Sequence, residues 1–249
     1  MRPDPMSSET SVGRSGQADV APEELPAEER EVVAYYDALA PTYDADRFSG
    51  SYGAYLDGLE RRALRRWLQG PRVLDLACGT GRFLDLASEG LDLSGKMVER
   101  ARTKWPDKRI HHAPAWSIPA DDGSYDTVFA LHFFMHLHLG AIRRVLDECR
   151  RVLRRGGVMV FDFPNALRRR LVGYKASGWH AGTELMASDL RMLGGGHWRL
   201  VASRGVALAP IHRLPHAARP AFMAAEVLLG RTLLKHLASY QLVKLEKVD

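Results

Sequence analysis

Apolar positions along the chain change period several times, and each change predicts an element. Tyr52, Tyr55, Leu56, Leu59, Ala63, Leu64 and Trp67 fall at helical spacing and predict a helix over about 51–69. An earlier helix is expected from near Glu29, carrying Val32, Val33, Tyr35 and Tyr36, with a turn at Ala40-Pro41. Val73 to Ala77 is a short apolar run ending in small residues, the pattern of a strand buried on both faces. The turn Cys78 to Gly81 follows, and Phe83, Leu84, Leu86 and Ala87 predict a helix stopped by Gly90. Leu91-Asp92-Leu93 reads as a very short strand, 95–104 as a helix, the region of Ile110 as a third strand and 125–131 as a fourth. The clearest helix covers 139–153, with Ile142, Val145, Leu146, Cys149, Val152 and Leu153 on one stripe; Gly156-Gly157 stops it, and 158–163 is the next buried strand. Beyond Pro164 the pattern loosens to a short helix at 189–193 capped by Ser188, a strand at 198–208, an apolar helical stretch at 217–238 and a last strand at 240–248. Strands alternating with helices imply a parallel sheet with right-handed crossovers.

Residues 1–28 are rich in Pro, Ser, Glu and Gly and offer little to bury, so a disordered tail is expected ahead of one domain over 29–249. A chain of 249 residues, 46% hydrophobic and 26% charged, can bury a substantial core. No apolar run reaches the roughly 18 residues of a membrane span, and no secretory signal is visible. Cys78 and Cys149 support neither a disulfide framework nor metal-type spacing, so no metal is expected and the cytoplasm is the expected compartment. The net charge of +5 comes largely from arginine doublets and triplets, read as solvent faces of helices rather than a nucleic-acid surface.

The candidate chemistry centres on Val73-Leu-Asp-Leu-Ala-Cys-Gly-Thr-Gly81, a strand ending in a glycine turn that presents backbone N–H groups to a ligand. A dinucleotide fingerprint needs a third glycine three residues after the second, where this chain has Leu84. Asp75 at the strand end would repel a pyrophosphate and suits a ligand with an ammonium group. Both points favour the nucleoside–amino-acid site of a methyltransferase.

Five segments resemble, in order, the class I methyltransferases that use S-adenosylmethionine (SAM), including quinone-biosynthesis and antibiotic-tailoring enzymes. They are Tyr36-Asp-Ala-Leu-Ala-Pro-Thr-Tyr-Asp44, Val73 to Gly81, Leu91-Asp-Leu-Ser-Gly-Lys-Met97, Ala115-Trp-Ser-Ile-Pro with Asp122-Gly-Ser-Tyr-Asp126, and Arg151-Val-Leu-Arg-Arg-Gly-Gly157. The resemblance implies an α/β, Rossmann-like fold with a mixed seven-stranded sheet, helices on both faces, an antiparallel last strand and a helical insertion at about 209–238. It implies that Asp75 holds the methionine ammonium, that Ala77, Gly79 and Gly81 let the loop approach the methionine end, and that Asp92 accepts the ribose hydroxyls. Ala115 and Trp116 would flank the adenine, Leu131 would meet the ligand, and Tyr43 would cover the methionine side. His132 and His136 are the candidate bases for a hydroxyl acceptor, ahead of His180 and His138. The expected activity is methyl transfer to a small molecule; an RNA acceptor, or a SAM-fold regulator without catalysis, are the alternatives. The 217–238 stretch would suit an acceptor lid, extra core or a dimer face.

The segment from Gly81 to Asp92 is short for this fold. If a helix occupies 82–88, the second strand can be only two or three residues long, with a poorly paired edge near Leu91. Asp92 should still close that strand and face the glycine turn.

Overall fold

Strands β1 (Val73–Leu76), β2 (Glu89–Asp92), β3 (Arg109–His112), β4 (Tyr125–Ala130), β5 (Leu153–Pro164), β6 (Trp198–Val206) and β7 (Tyr240–Lys247) join in one sheet of order β3-β2-β1-β4-β5-β7-β6. The computed structural model describes residue 25 and residues 27–48, 50–176, 178–180, 182–186, 188–208 and 214–249. The first five strands are parallel, and β7 runs antiparallel between β5 and β6. This is the mixed sheet the resemblance implies.

The helices are α1 (Ala27–Leu39), α2 (Tyr43–Phe48), α3 (Ser51–Trp67), α4 (Gly95–Lys104), α5 (Leu139–Val152), α6 (Ala166–Leu171), α7 (Asp189–Leu193) and α8 (Arg219–Leu229). Every residue of β1 and β4 is buried, Asp75, Asp126 and Thr127 included, as in strands covered on both faces. On one face of the sheet, Ile142, Val145, Leu146 and Cys149 of α5 pack on Leu74, Leu76 and Phe161. On the other, Leu59, Ala63 and Leu64 of α3 and Val98 and Ala101 of α4 pack on Val73, Phe129 and Leu242. No described helix is long and apolar enough to cross a membrane.

Two expectations at the glycine turn are overturned. No helix follows Gly81; the chain descends through successive turns, with N–H groups of Leu84, Leu86 and Ala87 bonding three residues back. The length is therefore saved in the helix and not in the strand. β2 starts at Glu89, is as long as β1 and β3, and pairs with both, Leu76 to Leu91 and Leu91 to His111. Gly90, expected as a helix stop, lies inside β2, where a Cβ would stand 2.9 Å from Leu84 and 3.0 Å from Cys78.

Trp105, at the end of α4, fills the space of the missing helix and donates its indole N–H to the Gly81 carbonyl at 2.8 Å. Gly81 has φ +77°, and a Cβ there would lie 2.9 Å from both Leu84 and Trp105. Packing and backbone conformation both require glycine here. Gly81→Ala should cost about 2–4 kcal/mol, read as a lower urea midpoint at unchanged slope. An unchanged midpoint would show that Trp105 does not seal this turn.

Smaller differences lie elsewhere. α1 begins at Ala27 and Leu25 is buried, so ordered chain reaches ahead of residue 28; residues 1–24 of the expected tail lie outside the described residues. β5 starts at Leu153, so Gly156 and Gly157 stand within a strand. The 217–238 stretch divides into α8 and two short 3-10 turns, His216–Ala218 and Leu233–Leu237.

Candidate active site

The carboxyl ends of β1, β2 and β4 open into a cavity of about 690 Å³. Crevices at this edge of a parallel sheet are where open α/β folds place ligands. Of the residues singled out in the sequence, Tyr43, Asp75, Ala77, Gly79, Asp92, Ala115, Trp116, Leu131, His132 and His136 all line it; Gly81 does not. The 214–238 segment contributes nothing to its wall, so the lid expectation fails there. The cover comes instead from α1, through Val32, Val33 and Tyr36, and from Trp179, Gly182 and Thr183. Glu29 of α1 reaches Arg144 of α5 at 3.6 Å across the cavity mouth.

Asp92 joins the two strand ends. Its carboxylate accepts the Gly79 N–H at 2.7 Å and the Ser94 N–H at 2.9 Å, one on each oxygen. The Leu93 N–H is a third backbone donor to it, and because a carboxylate has about four lone-pair sites, acceptor capacity remains toward the cavity. Gly79 has φ +54° and open space where a Cβ would stand, and Ala77 also takes a left-handed conformation, φ 59°. Asp75 is 2% exposed, and its Oδ2 bonds to no described residue. Burial, reinforced by the Asp92 charge, pushes the Asp75 carboxyl well above the ordinary carboxylate range. A cationic ligand at this point would restore its charge. Trp116 is partly buried on the core and faces the cavity as well, with the Arg144 guanidinium 5.4 Å from its ring centre.

The histidines divide by environment. His132, φ 57°, donates its backbone N–H to Asp162 at 2.6 Å and places Nε2 2.8 Å from Glu60. Glu60 and Asp162 are both buried, and Glu60 also meets Arg82. Although burial opposes its charge, these two carboxylates push the imidazole up to about 9. That charge balance favours the imidazolium form of His132, which accepts no proton. His136 is the opposite case: burial, then the neighbouring His180 and Arg47, bring it down to about 3. It bonds to the His132 backbone through one ring nitrogen, which leaves Nε2 to accept the Tyr36 hydroxyl at 2.9 Å. Burial raises the Tyr36 phenol far above its usual value. His138 caps α5 by accepting the Ala141 N–H, and His180 stands behind His136, ring centres 4.7 Å apart.

Sequence reasoning missed Glu60, Arg82, Asp162 and Trp179. An acid inside the apolar run Val158 to Phe163 signals Asp162, and Glu60 follows Leu59 on the buried side of a strongly patterned helix. Trp179 has no local signal, because the chain reaches the cavity only after an irregular excursion beyond α6.

A profile for a methyltransferase domain matches residues 74–161. The chain is 33% identical to an uncharacterized protein of Methanocaldococcus jannaschii over 54% of its own length and 52% of that protein. It is 35% identical to a demethylmenaquinone methyltransferase of Beutenbergia cavernae over 55% of its length and 59% of that enzyme. The chain thus spans about half the length of the curated relatives it matches. A crystal structure of a SAM-dependent methyltransferase from Thermotoga maritima superposes over 86% of this chain and 99% of that one, with a TM-score of 0.61 at 18% identity; this likeness shows the fold.

Proposed function

We propose that this chain, which belongs to the class I SAM-dependent methyltransferase family, transfers a methyl group from SAM to a small, largely apolar acceptor. The observation that carries the reading is the pair of acids at the strand ends: half-buried Asp92 tied to the glycine turn with acceptor capacity left, and buried Asp75 with an orphaned oxygen. The residues fit SAM. Asp75 matches an ammonium group, Asp92 matches a diol, Gly79 leaves room for close approach, and Ala115 and Trp116 offer a flat apolar wall. Bound SAM supplies a methyl group already activated on a sulfonium, so positioning of the acceptor in line accounts for much of the catalysis.

The chain's own residues supply the positioning. Tyr36, Tyr43 and Trp179 close the cavity and exclude water, and the Tyr36 hydroxyl, held by His136, fixes a polar point among these aromatic side chains. Neither Tyr36 nor His136 takes up or gives up a proton readily near pH 7, and His132 is already protonated. Such a site suits an acceptor that brings its own nucleophile, an ionised oxygen, sulfur or carbon acid or a neutral amine, rather than one needing a strong base. The buried, unpaired Cys78 and Cys149 suit a reducing compartment such as the cytoplasm.

Calorimetry with SAM should give a dissociation constant in the micromolar range. Isotope from methyl-labelled SAM should then enter low-molecular-weight apolar compounds of a cell extract and not its RNA. Absence of heat with SAM would remove the reading; label recovered in RNA would overturn the acceptor class.

A further inference from the structure

We propose that a second cavity, between α3, β6 and the turn after α8, binds a phosphate group on Arg204, Arg66 and Arg231. The cavity is about 190 Å³ and shares no lining residue with the first. Three elements each contribute one arginine to its lining: Arg66 from the last turn of α3, Arg204 from β6, and Arg231 just past α8.

Arg204 is the telling residue. It is 3% exposed, yet its Nε and one terminal nitrogen meet no hydrogen-bond partner among the described residues. A guanidinium removed from water and left unpaired is strongly unfavourable, so such groups are normally found with an anion. The neighbouring acid, Glu226, accepts the Leu208 N–H at 2.8 Å through one oxygen and forms no ion pair with Arg204. Burial, followed by the charges of Arg231 and Arg62, disfavours the protonated form of Arg204 even with Glu226 nearby. An oxyanion among the three guanidinium groups would reverse that balance, and the planar fork of arginine matches phosphate oxygens.

A phosphate group could arrive on a soluble phosphoester or on an anionic lipid, and the surface around Arg231 admits both, since Leu228 and Leu233 are 68% and 84% exposed. The full chain is to be titrated with pyrophosphate against sodium chloride of equal ionic strength, and with phosphatidylglycerol against phosphatidylcholine vesicles. Binding to pyrophosphate, to the anionic vesicles, or to both is expected, and the stronger response identifies the source. Arg66 and Arg231 are exposed, so Arg66→Gln/Arg231→Gln should fold normally and bind about 100-fold more weakly, roughly ten-fold for each charge-assisted contact. Arg204→Met should keep its melting temperature and lose the response to pyrophosphate; if it does not fold, the double variant decides. No binding above the chloride and phosphatidylcholine controls, or equal binding by the double variant, would overturn the proposal.

Discussion

Asp75→Asn should weaken SAM binding by about 10- to 100-fold while leaving the free protein at least as stable as the parent. The affinity loss is that of one charge-assisted contact to a cation, in the range of about 1.5–3 kcal/mol. The unchanged stability follows from the surroundings of Asp75. Its carboxyl is 2% exposed, lacks a partner on one oxygen, and resists ionisation because of burial and the nearby Asp92. An amide of the same shape removes that strain. Calorimetry and thermal melting on the same preparation separate the two effects. Retained affinity would place the ammonium elsewhere. A large fall in melting temperature would mean that the carboxylate has a structural partner.

Glu60→Gln should destabilise the protein by about 3–5 kcal/mol, because it leaves two cations facing a buried neutral group. Glu60 bonds both Arg82 and the His132 ring. The same substitution should change the pH dependence of stability. The folded state raises His132 from its ordinary value near 6.5 to about 9. Its pairing therefore contributes fully below about pH 6.5 and is lost as pH rises through about 9. Over that window the parent should lose up to about 3 kcal/mol, at about 1.4 kcal/mol per pH unit. In Glu60→Gln the His132 value falls toward normal and this limb flattens. Urea titrations at several pH values between 6 and 10 measure both quantities. Parallel pH profiles for the two proteins would show that His132 is not held as a cation by Glu60.

The individual strands of the parallel part of the sheet were legible from local signals, and the mixed seven-stranded sheet and most of the cavity wall from the motifs that carry the family resemblance. Short segments rich in apolar residues marked β1, β4 and β5, and the strand–turn sequence around Asp75 marked where a ligand would sit. What failed depended on contacts distant in sequence. Phe83, Leu84 and Ala87 carry a helical pattern, but Leu84 packs against Gly81 and Gly90, and Trp105 occupies the volume a helix would fill. His132 follows β4 directly and lines the cavity. Its two counter-charges come from α3 and β5, some 72 and 30 residues away, so its protonation state cannot be read locally. The 217–238 stretch is apolar enough for a lid, yet Met223 and Val227 turn toward the α3 side of the sheet, away from the cavity.

The turns that replace a helix after Gly81 also bear on how the chain finds its fold. Only residues 77–88 separate β1 from β2, the shortest connection between parallel neighbours in this sheet; β2 and β3 are joined through 93–108. Parallel strands need a crossover of about a dozen residues or more, so this one lies close to the minimum. The entropy lost in closing a loop grows with its length, and non-local pairing is what slows sheets of this kind. Pairing β1 with β2 therefore demands the least chain ordering of any parallel pair here, and it brings Asp75 and Asp92 together in the same event. The two acids that define the cavity are assembled by the most local step in building the sheet.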